Sequence, residues 1–235
     1  MIPFSGFKGT TLVDYPDKVA SVIFVSGCNL RCPYCHNGQL FKVDESRIIS
    51  AEFLMDKLLE RESFIDGVVF TGGEPSLYSE LVGFVNKIKM LTSLDVKVDS
   101  NGLNPEFIEE VAGHVDYFAI DIKTIPELYT TILGTDISEE MIEENLMKTK
   151  AFLERQTDKT IEYRTTLYPP ILSLSRLKDM ARFVPNNARW SLQTFVAETA
   201  WTQAARDTTV YTNDEIQDMV VQLKKATGKR DIVFR

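Results

Sequence analysis

Six short apolar runs, each followed by an amphipathic stretch, limit what this chain can fold into more than any other feature. They occupy residues 19–25, 67–71, 95–99, 117–122, 161–167 and 190–195. Runs of that length alternating with helical periods read as successive β-α units whose strands join one parallel sheet. The helices between them carry their own start signals. Ser50 precedes Phe53, Leu54 and Leu58; Asn104 precedes Pro105 at a first helical position; Ser138 precedes Ile142, Leu146 and Phe152. A last helix opens on the capping box Thr212-Asn213-Asp214-Glu215 and closes near Gly228. At 235 residues the chain suffices for one well-buried α/β domain and is short for two. Residues 1–18 are expected to add a strand or hairpin, 19–195 to form the core, and 196–235 to add a loop and a helix.

All three cysteines fall within Cys28-Asn29-Leu30-Arg31-Cys32-Pro33-Tyr34-Cys35, directly after the first run and at C-x3-C-x2-C spacing. Thiolates are soft ligands that suit iron–sulfur clusters and zinc. A cubane [4Fe–4S] cluster has four corners, so three cysteines leave one iron open to a substrate. Pro33 restricts Cys32 to extended backbone, which helps the loop wrap around a compact group. The alternative is a zinc-stabilised interaction module with His36 as fourth ligand, but adjacent residues seldom converge on one tetrahedral ion. An odd number of cysteines on one loop suits a reducing compartment rather than disulfides. No stretch reaches the roughly 20 apolar residues of a membrane span, and Met1-Ile2-Pro3-Phe4 is unlike a signal peptide. A cytoplasmic location without a membrane partner is therefore expected. The net charge of −8 argues against a nucleic-acid partner, and the basic run Lys224, Lys225, Lys229, Arg230 reads as a solvated helix end.

Further motifs sit just after candidate strands: Gly72-Gly73-Glu74-Pro75, Asp99-Ser100-Asn101-Gly102 and Asp121-Ile122-Lys123. In parallel β/α folds that end of the sheet binds ligands, so these motifs and the cysteine loop are expected on one face. Two successive glycines permit close backbone approach to a ligand. Asp99–Gly102 could equally be an Asx-type turn, and Asp121 could pair with Lys123. Arg164, on the fifth run, offers a planar fork for a carboxylate or a salt bridge inside a barrel. Gln193 could line the same cavity, whereas His114 lies at the opposite end of its strand. Residues 197–211 lack clear periodicity but hold Trp201, which either docks a partner or packs under the rim.

These motifs, with Asp14-Tyr15-Pro16, Ser26-Gly27-Cys28-Asn29 and Cys32-Pro33-Tyr34-Cys35-His36-Asn37, resemble those of the radical S-adenosylmethionine (SAM) superfamily from about residue 14 to about residue 195. Within it the chain is similar to the glycyl-radical-enzyme activases, most to the longer type of anaerobic ribonucleoside-triphosphate reductase activating protein and next to pyruvate formate-lyase activating enzyme. The resemblance implies a single-domain α/β fold, an open partial (β/α)6 barrel with a small N-terminal strand extension. It implies a [4Fe–4S] cluster on Cys28, Cys32 and Cys35, with Tyr34 filling the aromatic position before the last cysteine. SAM would chelate the open iron, and its cleavage would give methionine and a 5′-deoxyadenosyl radical. Gly72, Gly73 and Glu74 match contacts to the SAM amine, and Asp121 and Lys123 match further SAM contacts. Arg164 lies near a position where the family often has arginine. Asp99, Ser100 and Asp121 match positions that hold a monovalent cation, with serine where the family more often has threonine.

The implied partners are a glycyl radical enzyme as protein substrate and a flavodoxin- or ferredoxin-type electron donor. Without further cysteines no auxiliary cluster can form. A small-molecule radical reaction, such as one on a deazaguanine precursor, is the alternative within the superfamily.

Overall fold

The computed structural model describes all 235 residues. In chain order the elements are β1 (Phe4–Thr11), β2 (Ala20–Val25), α1 (Ala51–Arg61), β3 (Gly67–Gly72), α2 (Glu80–Leu91), β4 (Asp95–Ser100), α3 (Pro105–Val111), β5 (Tyr117–Asp121), α4 (Pro126–Tyr129), α5 (Glu139–Leu153), β6 (Thr160–Leu167), α6 (Leu174–Met180), β7 (Arg189–Thr194), α7 (Gln203–Arg206), α8 (Asn213–Thr227) and β8 (Ile232–Phe234). The eight strands form one sheet whose spatial order is the chain order. β1 runs antiparallel to β2, and every later pairing is parallel. β1 and β8 are not paired with each other, so the barrel stays open along that seam.

All six expected core strands are present, with ends shifted by a residue or so. The C-terminal segment departs from expectation: it contributes β8 beside β7 as well as helices. Three residues are too few to show strand alternation in sequence, and only pairing with Trp190–Leu192 makes them a strand. The N-terminal extension is a full eight-residue edge strand.

The helix starts follow their capping side chains. Ser50 accepts from Phe53 N at 3.1 Å, Asn104 from Phe107 N at 3.2 Å and Ser138 from Met141 N at 3.3 Å. Thr212 and Glu215 form the reciprocal capping box, and α8 ends on Gly228 in the left-handed conformation. Each such cap stabilises its helix by about 1 kcal/mol. No helix is long and apolar enough to cross a membrane.

The two faces of the sheet differ. Between the sheet's outer face and the helices lies an apolar cluster of 55 buried residues, whereas the barrel interior holds one of only 6, around Tyr15, Val22, Val69 and Tyr117. The outer layer therefore supplies most of the hydrophobic stabilisation. The inner face is left to polar side chains.

Candidate functional site

The loop after β2 carries the cysteines, and other parts of the chain pin its backbone. Arg31 N donates to Ile132 O at 2.6 Å and Gly134 N to Asn29 O at 2.8 Å, around an antiparallel bridge of Leu30 with Leu133. The Arg31 guanidinium donates to the carbonyls of Cys28 at 2.6 Å and Leu30 at 2.7 Å. Gly27 N donates to Leu40 O, and Asn101 Nδ2 to Asn29 Oδ1 at 2.7 Å. A further brace comes from beyond β7, where Thr202 N donates to Pro33 O at 3.0 Å. Trp201 packs on this loop against Gly38 and Phe41, and a Cβ on Gly38 would land inside its ring. Trp201 is nevertheless half exposed.

The loop forms one wall of a cavity of about 200 Å³. Cys28, Cys32, Cys35 and Tyr34 line it, opposite Gly72, Gly73 and Glu74 from the end of β3, Asp99, Ser100 and Asn101 from the end of β4, and Asp121 and Lys123 from the end of β5. The structure thus brings the four sequence motifs to one place. Gly72, at φ +110°, and Gly73, whose Cβ would strike the Gly27 carbonyl, let the β3 end turn tightly against the cysteine loop. Glu74 N completes that contact by donating to Gly27 O at 2.8 Å.

Glu74 is buried, and its carboxylate is already occupied. Oε1 accepts from Ser100 Oγ at 2.8 Å and Ser76 N at 3.1 Å, and Oε2 accepts from Asn101 N at 2.8 Å. Burial still raises its pKa above the ordinary range, against the lowering effect of these donors. Glu74 ties the β3 end to the β4 end and lines the cavity between them.

Beneath the cavity lies a layer of paired charges. Register places Asp121 beside Arg164, and the Arg164 fork donates to Asp121 through Nε at 2.8 Å and Nη2 at 3.1 Å. Its Nη1 donates to Asp99 at 3.3 Å; Asp99 also accepts from Thr71 at 3.0 Å and pairs with the buried Lys97. Lys123 reaches Asp121 at 3.1 Å. Burial opposes ionisation of Asp121, but Arg164 and Lys123 outweigh it and hold the carboxyl well below the usual range. Asp99 and Asp121, two of the three residues matching a monovalent-cation site, are paired here with Lys97, Lys123 and Arg164. Arg164 is engaged in this layer and does not line the cysteine cavity. Gln193 lines a second cavity together with Arg164 and not the cysteine cavity.

Sequence reasoning placed Asn29 and Asn101 in motifs without a role and gave none to Tyr78 or Thr202, because their roles depend on partners far along the chain. Tyr78 Oη donates to Ser26 O at 2.6 Å just ahead of the cysteines.

Burial pushes the Cys28 thiol up to about 12 and the Cys32 thiol up to about 11, so the metal-free chain holds both protonated. A soft metal centre would bind with release of those protons. Three observations fit such a group. The thiols face one cavity, the Leu30 amide donates to Cys28 Sγ at 3.4 Å, and the buried Tyr34 hydroxyl near Cys32 has no hydrogen-bond partner. No three His, Cys, Asp or Glu side chains gather closely enough to hold a single ion.

An open, mostly parallel β/α barrel with a three-cysteine loop at the C-terminal end of its first parallel strand defines a radical SAM protein. The sequence model of the Radical SAM superfamily matches residues 22–184, and the chain belongs to that superfamily. Membership implies a [4Fe–4S] cluster and SAM, for which Cys28, Cys32 and Cys35 are the chain's only thiols. A Methanocaldococcus jannaschii protein named as a glycyl-radical enzyme activating enzyme is 29% identical over 223 residues, covering 94% of this chain and 91% of that one. The pyruvate formate-lyase-activating enzyme of Clostridium pasteurianum is 33% identical over 120 residues, which span 49% of this chain and 50% of the relative. Among solved structures, QueE from Escherichia coli superposes with a TM-score of 0.58 at 14% identity, covering 100% of this chain and 93% of that one. TYW1 with a lysine-pyruvate adduct gives 0.61 at 16% identity, covering 87% and 73%. At such identities these two speak for the fold alone.

Proposed function

We propose that this chain is an activating enzyme that generates a glycyl radical on a partner enzyme, with anaerobic ribonucleoside-triphosphate reductase as the partner and a pyruvate formate-lyase-type enzyme as the alternative. The carrying observation is the loop of residues 28–35, whose three thiols share one cavity with the strand-end motifs in a chain with no other cysteine. The nearly full-length match to the archaeal relative supports the reaction class. The motif resemblance supports the reductase.

Cys28, Cys32 and Cys35 would hold the cluster, and Gly72, Gly73, Ser100, Asp121 and Lys123 line the space SAM would take. Holding them there, these residues would harness the chemistry that the cluster and SAM would supply once given an electron by a flavodoxin- or ferredoxin-type donor, the removal of a hydrogen atom from a glycine Cα. The Lys123 ammonium, fixed by Asp121, gives the cavity a positive charge to meet a carboxylate. Arg164 keeps both layer carboxylates ionised and in place. The backbone braces keep the loop from rearranging between states.

The test is electron paramagnetic resonance of the anaerobically reconstituted, dithionite-reduced protein, with and without SAM and then with candidate glycyl radical enzymes of the same organism. A reduced-cluster signal that changes with SAM, followed by an organic radical on the reductase, is expected. A colourless protein containing one zinc, or a SAM-responsive cluster that leaves no radical on any candidate, would end the proposal.

A further inference from the structure

We infer that the Tyr34 hydroxyl donates to the sulfur of Cys32 once a cluster is bound, and that this bond raises the cluster's reduction potential. The inference rests on the cluster that superfamily membership implies and deepens the activase reading. It does not depend on which glycyl radical enzyme is the partner.

Four buried side-chain oxygens make no hydrogen bond: those of Tyr34, Ser76, Tyr163 and Thr194. Of these residues, Tyr34 alone lines the cysteine cavity. A buried phenol ordinarily finds an acceptor, and where packing alone matters phenylalanine fills the same space without stranding an O–H group. Tyr34 is 4% exposed, and its ring is clamped. It lies tilted on Tyr168 with ring centroids 5.0 Å apart, and Tyr168 meets Phe195 edge-on at 5.3 Å. This stack, built from the residues just after β6 and β7, holds the hydroxyl beside the Cys32 thiol.

The donors available to the three thiols explain why Cys32 draws on a side chain. Leu30 N donates to Cys28 Sγ at 3.4 Å, and the Asn37 amide, again two residues on, approaches Cys35. No backbone amide donates to Cys32 Sγ: Pro33 has no N–H to give, and Cys35 N is spent on the Cys32 carbonyl at 3.1 Å. Hydrogen bonds to the ligand sulfurs of a cluster favour its more negative state. Reduction adds one electron and leaves the phenol proton on Tyr34, so the bond strengthens as charge gathers on sulfur and no proton is transferred. The hydroxyl thereby brings the cluster nearer to the potential of a flavodoxin- or ferredoxin-type donor.

The test is a potentiometric titration of the anaerobically reconstituted protein, followed through the reduced-cluster signal in electron paramagnetic resonance. Tyr34→Phe should lower the equilibrium constant for one-electron reduction about tenfold, a fall of about 59 mV in potential. Tyr163→Phe, which removes an equally stranded phenol away from the cavity, should leave the potential where it is. If Tyr34→Phe holds no cluster, Tyr34→3-fluorotyrosine, a stronger donor of nearly the same shape, decides the matter by raising the potential. An unmoved potential in the loaded Tyr34 variants, with a cluster signal that still responds to SAM, would overturn the inference and leave the activase reading standing. An equal fall in the Tyr163 variant would also overturn it. A wild-type protein with no reducible cluster would overturn both.

Discussion

The cysteine loop and the charged interior beneath it face each other across one cavity, yet they are held in opposite ways. The loop is fixed mainly through its backbone, by carbonyls and amides from residues 132, 134 and 202, while its three thiols form no disulfide. The interior is fixed through its side chains: Lys97, Asp99, Asp121, Lys123 and Arg164 pair with one another, Glu162 pairs with Arg235, and the backbone is left to the sheet. The difference separates a loop held by its backbone from a layer whose charges balance one another while some of them still face the cavity. Backbone tethering leaves side chains free to bind; side-chain pairing keeps a charged interior stable whether or not a ligand is present.

Removing one member of the self-paired side should therefore have the largest effect on stability. Arg164→Met leaves Asp99 and Asp121 short of their shared cation and should cost about 3–5 kcal/mol in urea unfolding at neutral pH. Arg164→Lys should recover only part of this, because an ammonium cannot donate as a planar fork. A loss below about 1 kcal/mol would show that the layer is not what holds the interior.

Acid sharpens the comparison at intermediate size. Burial works to raise the Glu162 carboxyl, but hydrogen bonds from Ser191 and Tyr117 and the charges of Arg164 and Arg235 hold it below its ordinary value of 4.5. A carboxylate with a depressed folded pKa contributes its full stability above the unfolded value and loses it as pH falls through the folded one. Stability should thus decline as pH drops below about 4.5. Glu162→Gln should cost about 2 kcal/mol at pH 7 and flatten that acid limb in calorimetry. An unchanged slope would remove Glu162 from the set of interior charges that matter.

The smallest effect belongs to the loop. Gly38→Ala forces a methyl into Trp201 and should cost about 1 kcal/mol, a loss that disappears in a Trp201→Ala background. Additive effects in that double-mutant cycle would show that Trp201 does not brace the cysteine loop.

Much of the molecule was legible in the sequence because it depends on local pattern. Core strands, capping residues and the placement of Gly72-Gly73-Glu74, Asp99-Ser100 and Asp121-Ile122-Lys123 after strands all follow from runs of fewer than about ten residues. What escaped depends on distance. Asn29 meets Asn101 across 72 positions, and Thr202 meets Pro33 across 169. β8 needs β7 to exist as a strand. Arg164 could be foreseen as ligand contact or interior salt bridge, and only the register that sets it beside Asp121 decides for the latter. Nothing local to Glu74 announces the hydrogen bonds it accepts from Ser100 and Asn101.

A sheet whose strand order equals its chain order can be assembled from one end while the polypeptide is still leaving the ribosome. Each new strand finds its neighbour already made. The cysteine loop follows β2, near the start, but Ile132 and Gly134, which pin it, emerge about a hundred residues later. At about 5–20 residues per second, that leaves the three thiols unbraced for about 5–20 s of synthesis. The order of translation therefore sets a minimum delay before this loop can be loaded as a finished site.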